Sequence, residues 1–119
     1  MKKMLQLEEL AMTSAAIALL TIHHLGLSIW VWIILFFAPD IGMLGYLLNT
    51  RIGAFCYNLF HHKGIGLCLV AAGTYLQNEI LTATGTLLFA HASFDRIFGY
   101  GLKYADSFKN THLGSLEKQ

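Results

Sequence analysis

Charge is what this chain has least of. Charged residues make up 13% of its 119 residues, about half the share of an ordinary soluble domain. A soluble protein of this size would lack the polar surface to cover a core built from the 55% that is hydrophobic. Composition therefore points to a membrane before any residue is placed. The net charge of +1 leaves no broad basic field of the kind that nucleic-acid binding needs. Proline occurs once, so apolar stretches run with little interruption. Only two cysteines occur, Cys56 and Cys68. On one continuous helix they would lie about 18 Å apart, too far for a disulfide.

What is present is four apolar stretches, at about 5–25, 28–48, 52–76 and 80–100, with a polar tail over 101–119. Each is near the roughly 20 residues a helix needs to cross the hydrocarbon core. The connections are a few residues long, which forces neighbours to run antiparallel. The expected fold is all-α: a single integral membrane domain, a four-helix antiparallel bundle. The acids Glu8 and Glu9 sit between "MKKM" and the first apolar run, and no small-residue cleavage site follows, which argues against a cleaved signal peptide. Lys2 and Lys3, Arg51, and Lys103, Lys109 and Lys118 all fall at one end of such a bundle. That places both termini in the cytoplasm and the protein in the inner membrane. Membrane lipids are its expected surroundings, and Gly42 and Gly45 in "IGMLGY" are small enough for close helix packing or a homo-oligomer.

The polar residues inside these stretches carry the functional question. Counted at 1.5 Å per residue from the cytoplasmic ends, Asp40, His61, His91 and Asp95 all lie about 8–14 Å deep. Each charged group near a helix centre costs about 2.5–3.5 kcal/mol, so Asp40 and Asp95 must face the bundle and find partners. His91 and Asp95 share a helix face at i, i+4, a spacing that suits two ligands of one metal. Pro39 should bend the second helix and free a backbone carbonyl beside Asp40. Two imidazoles and two carboxylates suit zinc or a similar divalent ion. Such an ion would acidify a bound water for hydrolysis of a lipid or other apolar substrate. Glu8, as base or supporting group, is expected beside it, with Tyr57, Asn58 and Arg96 as further supporting groups. The same network could instead be purely structural, or serve an ion, proton or small-molecule binding or transport protein. Haem between His61 and His91 is disfavoured, because Asp40 and Asp95 occupy a depth where a porphyrin needs apolar walls. His23 and His24 lie at the other end of the first helix.

"LEE", "APDIGMLGYLLNTRIGAFCYNLFH" and "AHASFDRIFGYGLKYADSFKNTHLG" together resemble the domain of unknown function 4260 family, small bacterial membrane proteins. The resemblance covers nearly the whole chain. It implies a multi-helix membrane protein with no established activity. Its motif positions fall on Glu8, Asp40, Tyr46, Arg51, Tyr57, Asn58, His61, His91, Asp95, Arg96, Lys103 and His112. Glu9 stands where the family often has Gly, and His62 and Lys63 depart from its pattern. The resemblance adds Thr111 and His112, and with them a tail that either folds over the polar cluster or caps the last helix.

Overall fold

The computed structural model describes residues 1–103 and 110–115. Among these it is helical apart from one small hairpin. The helices are α1 (Lys2–Ile22), α2 (Ile29–Phe36), α3 (Thr50–Phe60), α4 (Lys63–Tyr75) and α5 (Glu79–Ile97), with a 3-10 helix over Ala38–Leu47. Two-residue strands, β1 (Asn110–Thr111) and β2 (Gly114–Ser115), pair antiparallel. Lys109 and Lys118, two of the basic residues used for orientation, lie outside the described residues.

α5 is the axle of the molecule. Its buried residues include Thr82, Gly85, Thr86, Ala90, His91 and Ser93, and both α1 and α4 pack along it. α1 runs antiparallel to α5: the Gln6 amide donates to the Ile97 carbonyl at one end (2.9 Å), and His23 meets Glu79 at the other (2.8 Å). The α1 residues turned inward are Gln6, Glu9, Met12, Thr13, Ala16 and Leu20, mostly at spacings of three and four that keep one face on α5. Its other faces expose Leu5, Leu7, Leu10, Ile17, Leu19 and Ile22.

The third apolar stretch, expected as one helix over 52–76, is two. α3 ends where the His61 N–H turns back to the Asn58 carbonyl (3.2 Å). The His62 imidazole then caps α4 by accepting from the Ile65 N–H (3.2 Å). Gly64 permits this, since a Cβ there would sit 2.7 Å from the His62 ring. At 11 and 13 residues, α3 and α4 are each too short to cross a hydrocarbon core alone. The single-helix spacing between Cys56 and Cys68 falls with that helix, but both thiols are free.

The second stretch changes pitch rather than direction. α2 gives way at Phe37 to ten residues of 3-10 helix, an unusual length for that form. Its buried residues are Pro39, Gly42 and Gly45, every third position, as three residues per turn require. This small-residue stripe lies on α3: a Cβ on Gly42 would come within 2.8 Å of the Cys56 carbonyl oxygen, and one on Gly45 within 3.0 Å of the Gly53 Cα. The small residues expected to allow helix contact or oligomerisation are thus used inside the chain.

Two stretches, Lys2–Ile22 and Ile29–Leu47, are long and apolar enough to cross a membrane. Only 11% and 17% of their apolar windows are buried by protein, so neither is the core helix of a soluble domain. They support membrane association.

Candidate metal centre

Four side chains from three elements meet at the end of the bundle that holds the start of α1 and the end of α5. They are Asp40 of the 3-10 helix, His61 at the end of α3, and His91 and Asp95 of α5. The two Nε2 atoms are 3.1 Å apart. Asp40 Oδ1 lies 3.3 Å from His61 Nε2 and 3.0 Å from His91 Nε2. Asp95 Oδ2 lies 3.2 and 3.3 Å from the same two nitrogens. The four atoms enclose a point rather than forming a chain. The histidines are buried, while the side chains of Asp40 and Asp95 are 35% and 16% exposed.

Backbone carbonyls set the tautomers. His61 Nδ1 donates to the Tyr57 carbonyl (2.8 Å), and His91 Nδ1 donates to the Phe36 carbonyl (2.6 Å). A carbonyl can only accept, so in the neutral imidazoles both Nε2 atoms carry lone pairs. Two lone pairs and two carboxylate oxygens then converge with no donor among them. Such a set is mutually repulsive unless positive charge sits at its centre, as an ion or as added protons. Backbone-tethered histidines of this kind are the usual outer support of metal ligands. The group can hold a metal ion. At 3.1 Å the two nitrogens are too close to flank a porphyrin iron.

Pro39 explains why the Phe36 carbonyl is available. In a 3-10 turn that carbonyl would accept from residue 39, which has no N–H. In an α-turn it would accept from residue 40, but the Asp40 N–H goes to the Phe37 carbonyl (3.2 Å). The carbonyl orphaned by the pitch change is the one that orients His91. At His61 the logic repeats. α3 closes with the His61 N–H on Asn58, leaving the Tyr57 carbonyl for the imidazole of the same residue.

Around this centre the expected supporting residues have distinct positions. The Tyr57 ring stacks flat on His61, with centroids 3.8 Å apart and planes 7° apart. Arg96 Nη2 donates to the His61 carbonyl (3.2 Å). Asn58 does not reach the cluster. Its side chain clamps the backbone of Lys103 from both sides, donating to the carbonyl (2.7 Å) and accepting from the N–H (2.6 Å). Lys103 is buried, with its ammonium over the Tyr57 ring at 4.8 Å. Burial pushes its pKa down, against an opposing pull from the Asp95 charge. The Leu102 N–H donates to His112 Nδ1 (2.8 Å), and the His112 N–H donates to the Leu102 carbonyl (2.9 Å). Thr111 bridges to Lys103. The return of the tail is therefore fastened to the end of the bundle that holds the cluster, through Asn58 and His112.

Glu8 and Arg51 stand apart. Both are exposed. Glu8 lies about 100° round α1 from Glu9, and it is Glu9 that turns inward. Glu9 forms an ion pair with Lys63, which sequence reasoning left without a role. The signal was there: an acid near the start of the first helix and an isolated lysine inside the third stretch each needed a partner. The Phe36 carbonyl was missed because a backbone group leaves no trace in residue identity, although Pro39 three residues on marks the place.

A family model described as Domain of unknown function (DUF4260) matches residues 2–116. The chain belongs to the DUF4260 family. Comparison with curated proteins and with solved structures gave no match. The four converging residues, the Tyr57 stack, the Asn58 clamp and His112 all lie within the stretch matched to DUF4260.

Proposed function

We propose that this DUF4260 protein is an integral membrane zinc protein whose two-histidine, two-aspartate centre hydrolyses a lipid or other apolar substrate. One observation carries the metal. Ligands at about 2.0–2.1 Å around tetrahedral zinc stand about 3.3–3.4 Å from one another, and the five Nε2 and Oδ separations given above are 3.0–3.3 Å. Nitrogen and carboxylate donors without thiolate agree with zinc among the common divalent ions. The exposed faces of α1 and α2 and the scarcity of charge support the membrane. The basic residues at one end support both termini being cytoplasmic. In this reading the four apolar stretches form an antiparallel bundle, the third being the broken pair α3 and α4.

Bound zinc supplies Lewis acidity and lowers the pKa of a coordinated water to about 7. Asp40, the more exposed carboxylate, would be the group placed to accept a proton from the water. Asp95 and the two carbonyl-tethered histidines stay in place. Arg96 and Tyr57 hold His61. A structural role for the ion is favoured by one observation: four protein donor atoms converge, whereas catalytic zinc has three protein ligands and keeps a position open.

Metal analysis of the purified protein is the first test. One zinc per chain is expected, with affinity reduced about 100-fold or more in His91→Ala; metal-free native protein refutes the reading. Cobalt substitution then separates the two roles. A visible spectrum that shifts on adding acetohydroxamate marks an exchangeable position and supports hydrolysis, while an indifferent spectrum assigns the ion a structural role.

A further inference from the structure

A cavity of about 570 Å³ lies between the second half of α1 and α2, lined by residues that include Ile17, Leu20, Trp32, Ile33, Phe36 and Phe94. Its few polar groups are already engaged. The Thr21 hydroxyl donates to the Ala18 carbonyl, the Trp32 indole donates to the His24 carbonyl, and His24 Nδ1 accepts from the Gly26 N–H. Away from His24, the lining offers a polar group no partner, at a cost of about 1–3 kcal/mol. Several lining residues are themselves exposed, Ile29 at 70% and Phe37 at 53%, so this is an apolar groove open along one side, a surface suited to a hydrocarbon chain.

The wall of the cavity packs against the polar cluster. The Phe36 and Phe37 rings both line it and pack edge-on against the His91 imidazole, at 5.5 and 6.4 Å between centroids. Phe94 also lines it and packs on Phe36 at 5.3 Å. One 3-10 turn beyond Phe37 the chain reaches Asp40, on the same side of that helix.

We propose that this cavity is the hydrocarbon-chain subsite of the metal centre, taking the single alkyl or acyl chain of an amphiphile whose anionic group reaches the metal from the Asp40 side. The inference rests on the zinc reading. The chain supplies the apolar binding energy, and its end at the Phe36–Phe94 wall brings the polar group to the Asp40 side, the more exposed of the two carboxylate sides of the cluster.

Trp32 is a built-in reporter. Replacing the exposed Trp30, 74% accessible, in Trp30→Phe leaves a single tryptophan in the cavity wall. The variant, in maltoside micelles, is titrated with a fatty acid brominated along its chain, and zinc is measured on the same sample. Saturable quenching at one probe per chain is expected, reversed by the unbrominated acid. The doubly filled variant Ile17→Phe/Leu20→Phe, made in the Trp30→Phe background, should keep its zinc and bind the probe at least tenfold more weakly. Removing zinc should weaken the acid about tenfold and leave the brominated methyl ester unchanged. Quenching that rises linearly with probe and ignores the filling substitutions means a lipid-facing groove, and overturns the proposal. No quenching in zinc-replete protein, as when a second copy fills the cavity, overturns it while the metal centre stands. Saturable quenching in a protein that never holds zinc refutes the metal reading, and the link to it, separately.

Discussion

At the scale of single residues, the least conspicuous one carries the most. Pro39 is the only proline in the chain, and its missing N–H leaves the Phe36 carbonyl for His91. Pro39→Ala restores a donor three residues after Phe36. That donor competes for the carbonyl and releases the His91 ring from its tether. Removal of such an outer partner typically costs 10–100-fold in metal affinity. We expect zinc affinity to fall by about that factor, measured by competition with a chelator, with the helical content unchanged. His61 should be insensitive to the substitution, because its tether is the Tyr57 carbonyl of its own helix.

At the scale of elements, close approach between α4 and α5 holds the cluster's main helix in place. A Cβ on Gly85 would stand 2.5 Å from the Gly66 carbonyl oxygen and 2.7 Å from the Val70 nitrogen. These are backbone atoms, which cannot rotate away as a side-chain end would. Gly85→Ala should therefore destabilise by about 1–3 kcal/mol, the usual cost of overpacking, read as a lowered unfolding midpoint in detergent. Gly64→Ala makes a contrast. The atom it meets is the His62 imidazole, and the expected outcome is a weakened cap on α4 costing about 1 kcal/mol. Helix breaks govern function here too: α3 must end at Phe60 for His61 to turn its Nδ1 onto Tyr57.

For the molecule as a whole, the tail is the part that pH should move. His112 Nδ1 accepts the Leu102 N–H, which requires the unprotonated nitrogen. Burial and then the Arg96 charge push its pKa below the ordinary histidine value. A group with a depressed folded pKa stabilises fully above its unfolded value, and that contribution is lost as pH falls through the folded value. Below about pH 6.5 the tail fastening should weaken progressively, seen as faster amide exchange at Leu102 and His112. Asn58→Ala should produce the same exchange at all pH values while zinc is retained. The exposed apolar faces of α1 and α2 predict that the protein stays with membranes through alkaline carbonate washing. Release into the soluble fraction would contradict the membrane reading.

Much of this was legible in residue identity. Scarcity of charge and the apolar runs determine a helical chain with exposed apolar faces, because transfer of hydrophobic area depends on composition and period alone. The depth count brought Asp40, His61, His91 and Asp95 together, because rise per residue is fixed and buried ions must pair. Glu8 was named from its depth and from the family motif; neither reports which way a side chain faces, and neighbours on a helix differ by about 100°, so the inward turn of Glu9 came only from the packing of α1 on α5. The break at His61 was not legible as a certainty either. It depends on an imidazole capping the next helix over Gly64, a local contact that competes closely with helix continuation. Whether the four polar groups would merely share a depth or enclose a point was left to the tertiary structure. Side-chain direction there is set by backbone carbonyls freed at two helix ends. Those freed groups arise from hydrogen-bond competition between turns, which the folded chain resolves and the order of residues does not.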